Sequence, residues 1–68
     1  MNETEFIRRV KRYAKKTGQE FRFEAARGKG SHGRLYLGKR FTTVKRSEIA
    51  SGLLNAMLKN LGVDKKEF

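Results

Sequence analysis

Apolar residues recur along this chain with two different periods, and the points where the period changes leave room for one kind of architecture. Phe6, Ile7, Val10, Tyr13 and Ala14 fall at helical intervals and form one stripe, which predicts a helix over residues 2–17. Asn2 is placed to cap it, and Glu5 completes a capping-box spacing. Gly18 stands where a left-handed C-terminal cap belongs. Beyond Gly18 the period drops to two. Phe21, Phe23 and Ala25 alternate with Arg22 and Glu24, which predicts a half-buried strand over 20–26. A glycine-rich loop is expected over 27–33. A second strand follows at about 34–37, with Leu35 and Leu37 inward and Arg34 and Tyr36 outward. Gly38-Lys39 reads as a tight turn into a third strand at about 40–46, where Thr42 and Val44 alternate with Phe41 and Thr43.

The helical period then returns. Leu53, Leu54, Met57, Leu58 and Leu61 supply a wide stripe, with Ser47 or Ser51 as the N-cap and Gly62 as the stop. Val63 sits where the hydrophobic contact of such a stop belongs. The charged tail 64–68 is expected to fray. The order helix, three strands, helix predicts an α+β fold in which two helices pack on one face of a three-stranded antiparallel meander.

Size and charge restrict what such a domain can do. Sixty-eight residues make one domain, 1–68, and a chain this short buries only roughly 60% of its unfolded surface. It has no cysteine, so disulfides and thiolate metal sites are excluded, as suits a reducing, cytoplasmic setting. The acidic start MNETEFIRR does not resemble a signal peptide. No apolar run exceeds three residues, so no membrane span is expected. Seventeen Lys and Arg against seven Asp and Glu give a net charge of +10. A compact domain so charged repels itself unless an anionic partner offsets the excess, and nucleic acid is the first candidate. Arg8, Arg9, Lys11, Arg12, Lys15 and Lys16 make the outward arc of the first helix uniformly basic. That arc could also meet an anionic membrane surface, although the helix's apolar stripe is needed for the core.

Between Ala25 and Ser47 the chain carries no acid, while Arg27, Lys29, Arg34, Lys39, Arg40, Lys45 and Arg46 supply seven positive charges. Four of the seven glycines fall between 28 and 38 in the same stretch. Gly28 to Gly33 formally match G-x-G-x-x-G, but a strand rather than a helix follows, so a dinucleotide site is excluded. A phosphate-binding P-loop fails because Arg34-Leu35 stands where Lys-Ser/Thr is required. What remains is a loop whose backbone N–H groups can cradle an anion, on a surface suited to phosphate contacts. The candidates for those contacts are Lys29, Gly30, Ser31, Arg34, Lys39, Arg40, Lys45 and Arg46.

His32 is the only histidine. No second histidine, cysteine or nearby carboxylate can complete a metal shell around it, and no acid is placed to orient a Ser31–His32 triad. RNA cleavage asks for less. The substrate brings its own nucleophile, the 2′-hydroxyl, and the protein supplies proton transfer, phosphate neutralisation and geometry. Histidine ordinarily titrates near ~6.5 and can move that proton at neutral pH. Lysines, arginines and loop N–H groups could stabilise the charge developing on the phosphorus oxygens. The second proton-transfer group is left open among Lys29, Tyr36, Arg40 and water.

Gly30-Ser31-His32, opening a strand with an aromatic shortly after, resembles the glycine-serine-histidine motif of HicA-type toxins. Lys29 to Tyr36 (KGSHGRLY), Arg40 to Val44 (RFTTV) and Gly52 to Gly62 (GLLNAMLKNLG) are similar to members of that family in the same order. The resemblance implies a double-stranded-RNA-binding-domain-like fold, α-β-β-β-α. It implies the toxin component of a type II toxin–antitoxin system: a metal-independent, cofactor-free endoribonuclease cleaving mRNA, with His32 as the catalytic histidine. It also implies a HicB-type antitoxin that masks the site and represses the shared operon, with the toxin monomeric outside that complex. The first helix, with its six outward bases, is longer than the family pattern. The alternative reading is a non-catalytic double-stranded-RNA-binding module of the same fold, reading RNA by shape.

Overall fold

A computed structural model describes residues 1–25, 32–45 and 48–68. Its elements run α1 (Glu3–Thr17), β1 (Phe21–Glu24), β2 (His32–Leu37), β3 (Arg40–Lys45) and α2 (Ser51–Leu61). The strands form one antiparallel sheet in the order β1-β2-β3. This is the expected α+β order, α-β-β-β-α, an arrangement consistent with double-stranded-RNA-binding domains.

Helix α1 forms as its sequence dictates. The Asn2 side chain accepts from the Glu5 N–H at 2.8 Å, which satisfies one of the donors a helix start leaves unpaired. The Glu5 carboxylate does not reach back to close the box; it pairs with Arg9 one turn on, at 3.3 Å. Gly18 ends the helix at φ 69°, and its N–H donates to the Ala14 carbonyl. Phe6, Val10 and Ala14 are buried, and Ile7 and Tyr13 pack half-buried at the edge of the stripe.

The β2–β3 connection sets the register of the sheet. Gly38 has φ 60° and no described non-glycine residue has positive φ, so Gly38-Lys39 is a two-residue turn with glycine first, the type II′ pattern that matches strand twist. Pairing therefore starts at Leu37↔Arg40 and runs through Tyr36↔Phe41, Leu35↔Thr42 and Arg34↔Thr43 to His32↔Lys45. This register puts Leu35, Leu37, Thr42 and Val44 on one side, and all four are buried. Helix α1 lies over β1 and β2, and α2 over β3. Met57, Leu58 and Leu61 of α2 join Phe6, Val10, Ala14, Leu35, Leu37 and Val44 in a single core. Both helices thus cover the same face of the sheet.

The tail 64–68 does not fray as expected: it turns back on Asp64, and Phe68 packs half-buried against the core with its ring centroid 5.6 Å from that of Phe6. Four further details depart from the sequence reading. Strand β1 ends at Glu24, and Ala25 is exposed rather than inward. Strand β2 starts at His32, so His32 and Gly33 belong to the sheet and not to a loop. Gly33 is there for packing: a Cβ on it would lie 2.8 Å from Phe23 Cζ and 2.9 Å from the Glu24 carbonyl oxygen. Third, α2 has Ala50 at its N-cap with no side-chain hydrogen bond, and Ser51 is already helical; Ser47 lies outside the described residues. The approach to α2 is fixed instead by Ile49, which is buried and donates its N–H to the Met1 carbonyl at 2.7 Å. Fourth, Leu53 is 43% exposed, because the buried stripe runs through 54, 57, 58 and 61 and Leu53 falls one residue outside it. The helix stops as expected. The Gly62 and Val63 N–H groups donate back to Lys59 and Leu58, and Val63 is buried, the two bonds and the contact of a Schellman cap.

The Phe23–Gly33 contact gives a test of the packing. Gly33→Ala is expected to lower stability by about 1–3 kcal/mol, the usual range for forcing a methyl into a filled site, read as a reduced urea midpoint. A midpoint equal to that of the parent would show that the Phe23 ring yields without cost.

Candidate nucleic-acid interface

With both helices on one side, the other face of the sheet carries the alternate residues of each strand. These are Arg22 and Glu24 of β1, Arg34 and Tyr36 of β2, and Phe41, Thr43 and Lys45 of β3. An antiparallel sheet can leave such a face in water when its residues are polar, and all but Tyr36 are exposed. Phe41 breaks the polar rule: it is 52% exposed.

The register explains what gathers around it. Tyr36 and Phe41 are directly opposed, and their rings meet at a centroid distance of 5.9 Å and 36° between planes. Arg22 is opposed to Tyr36 on the other side, and its guanidinium lies 4.5 Å from the Tyr36 ring centroid. Arg34, diagonal to Phe41, brings its guanidinium to 5.7 Å from that ring. Both distances lie within cation–π range. Arg22 also pairs with Glu24 at 2.9 Å. The result is a row of three cross-strand neighbours, Arg22, Tyr36 and Phe41, with Arg34 diagonal to Phe41 and each guanidinium lying over one of the two rings.

The residues singled out from the sequence fall into three groups. His32 opens β2 directly opposite Lys45, with Arg34 two residues further along the strand. Paired residues of antiparallel strands lie about 4.5–5.5 Å apart, so His32 and Lys45 are backbone neighbours. Lys39 and Arg40 stand at the far end of the hairpin, about 17 Å along the strand from His32 at ~3.3 Å per residue. Arg40 also belongs to the helix side of the sheet. A Cβ on Gly62 would lie 3.1 Å from Arg40 Nε, so the Arg40 side chain rests against the C-terminal end of α2. A cation there complements the partial negative charge of the helix end. Tyr36 is about 13 Å along β2 from His32 by the same rise. Lys29, Gly30, Ser31 and Arg46 lie outside the described residues.

Sequence reasoning missed the cross-strand grouping of Arg22, Tyr36 and Phe41. The period places Tyr36 outward, Arg22 on the face opposite Phe21 and Phe23, and Phe41 in alternation with Thr42 and Val44, but the grouping requires the register. The basic arc of α1 is placed as expected: Arg8, Arg9, Lys11, Arg12, Lys15 and Lys16 are all exposed. Since α1 packs on the covered face of the sheet, that arc and the Tyr36–Phe41 row lie on opposite sides of the molecule. No described helix is long and apolar enough to cross a membrane. Compared with known proteins, the chain matches no family model, no curated protein and no solved structure.

The position of Arg40 makes a stability prediction. Arg40→Gln is expected to cost about 0.3–1 kcal/mol, the usual worth of a cation at an exposed helix C-terminus, measured by chemical denaturation. A phosphate-binding Arg40 with no structural part would leave the denaturation midpoint unchanged.

Proposed function

We propose that this chain is a metal-independent endoribonuclease, the toxin half of a toxin–antitoxin pair, with His32 transferring protons at the scissile phosphate. The observation that carries the reading is the place of His32 in the sheet: it opens β2 opposite Lys45, with Arg34 next but one along the strand. The similarity of KGSHGRLY, RFTTV and GLLNAMLKNLG to HicA-type toxins supports it, as does the α-β-β-β-α order.

The chemistry needs few groups. The ribose 2′-hydroxyl loses its proton to a base as its oxygen attacks the adjacent phosphorus. The P–O5′ bond breaks, and the departing oxygen takes a proton from an acid. A histidine can fill either role at neutral pH. Negative charge grows on the non-bridging oxygens during the step, and fixed cations at that point lower the barrier. Lys45, opposite His32, and Arg34 are the described cations nearest to it in register. Of the candidates for the second proton-transfer group, Arg40 lies on the helix side and Tyr36 is committed to the aromatic row. Lys29, next to the Gly30-Ser31-His32 motif in sequence, and water remain.

A second reading is a non-catalytic module that binds double-stranded RNA. The exposed bases of α1, on the opposite side from the sheet's uncovered face, favour it, because shape readers work through phosphate and 2′-hydroxyl contacts.

Incubating RNA with the protein in the presence of a chelator separates the two. The parent is expected to cleave, and His32→Ala to slow cleavage by about 10²–10⁴-fold, the usual worth of a general acid–base group, with its circular dichroism unchanged. Equal cleavage by both, or none by a folded parent, would contradict the assignment. Lys45→Ala is expected to weaken RNA binding and to reduce the slope of log affinity against log salt by about 1.

The antitoxin half of the proposal has its own test. A partner that binds only the folded state raises stability by mass action. The melting temperature is therefore expected to rise when a HicB-type antitoxin is bound, and equal values with and without it would count against the partnership.

A further inference from the structure

The ribonuclease reading uses His32, Lys45 and Arg34 but leaves the Tyr36–Phe41 row without a task. Phe41 stands 52% exposed on this face, and neither helix covers it, because both are on the other side. The row is not a groove that could take a partner helix: it is two rings with centroids 5.9 Å apart, the Arg22 guanidinium lying over Tyr36 and that of Arg34 over Phe41, so that ring and guanidinium planes together make the surface.

We propose that this face is a stacking platform for the unpaired bases of single-stranded RNA, so that the enzyme of the preceding section, on which this inference rests, takes single-stranded rather than duplex substrate. Three observations support the occupant. Every base has a π face, and aromatic rings and arginine planes are the surfaces on which splayed bases stack. The two guanidiniums and Lys45 give the same face positive charge for the backbone. The one acid on it among the described residues, Glu24, is already paired with Arg22, so an anionic strand meets little repulsion. In a duplex the bases are paired and stacked on one another, and their faces cannot reach Phe41.

Position follows from the register. Tyr36 lies about 13 Å along β2 from His32, too far for a base on the rings to belong to the scissile nucleotide. The platform therefore holds nucleotides to one side of the cut. It anchors the strand while the His32 end of β2 meets the phosphate. Tyr36 and Phe41 are positioning residues in this arrangement, and no proton passes through them.

The test uses labelled oligodeoxynucleotides, which lack the 2′-hydroxyl and cannot be cut by the proposed route. Binding by fluorescence anisotropy is compared for a single strand, a hairpin duplex of the same composition, and an abasic strand of the same length. The parent is expected to prefer the single strand with bases. Phe41→Ala is expected to weaken that binding by roughly 5- to 150-fold, as loss of one stacked base implies, and to leave duplex binding unchanged. Phe41→Trp is expected to restore affinity, with indole emission quenched by the strand with bases and not by the abasic one. The platform is overturned if Phe41→Ala binds the single strand as tightly as the parent, if the parent prefers duplex, or if the abasic strand binds and quenches equally. It is also overturned if sedimentation shows a dimer of this chain that Phe41→Ala disperses, or if binding to an acidic antitoxin, rather than to the strand, is what Phe41→Ala abolishes. Cleavage by the parent with binding unaffected at Phe41 would remove the platform alone. Base-dependent quenching with no His32-dependent cleavage would remove the ribonuclease reading alone.

Discussion

Phe6, Val10 and Ala14 of α1 and Met57, Leu58 and Leu61 of α2 share one core with Leu35, Leu37 and Val44 of the sheet, and the rest of the structure depends on it. A small sheet gains independent stability by burying its hydrophobic face, here against helices, and a domain of this size has apolar area for one core only. Placing both helices on one face completes that core and leaves the opposite face in water. The uncovered face follows from the size of the chain and the order of its elements.

Charge is divided between the two sides by the same arrangement. The outward arc of α1 carries one set of cations, and the open face of the sheet carries Arg22, Arg34 and Lys45. Arg40 belongs to neither, since its side chain serves the end of α2. Two groups of described cations thus stand on opposite sides of the core. Among the described residues, the sheet side is where an exposed aromatic ring, Phe41, stands with cations and with His32 in the strand. Proton transfer and base stacking therefore have their groups on the sheet side and not on the more densely charged helix.

Much of the fold was legible in the residues. The change of period at Gly18 and its return after the third strand gave the five elements and their order. Asn2, Gly18, Gly38 and Gly62 marked the ends and the tight turn by backbone requirements that few other residues meet. Where the reading slipped, a tertiary contact outweighed a local signal. Gly33 looked like part of a phosphate loop, yet it sits in β2 because the Phe23 ring fills the space its side chain would take. Ser51 looked like a cap, but Ile49 anchors the chain and the helix begins before the hydroxyl could serve. The candidate site was legible only in part. Composition and spacing drew attention to His32, Arg34 and Lys45, and the pairing places these together at one end of the hairpin. Periodicity could assign Arg22, Tyr36 and Phe41 to the outward side, but their meeting depends on a register fixed by the turn at Gly38-Lys39. Lys39 and Arg40 were grouped with His32 by sequence proximity, and strand geometry puts them at the opposite end.

The central claim is that nucleic acid meets the uncovered sheet face at the His32 end and along the aromatic row. Backbone amide shifts recorded while a single-stranded oligodeoxynucleotide is titrated into the labelled protein test this directly. The account predicts that the largest changes fall on His32, Arg34, Tyr36, Phe41 and Lys45. Changes confined to Arg8 through Lys16 of α1, with the strands unmoved, would contradict it.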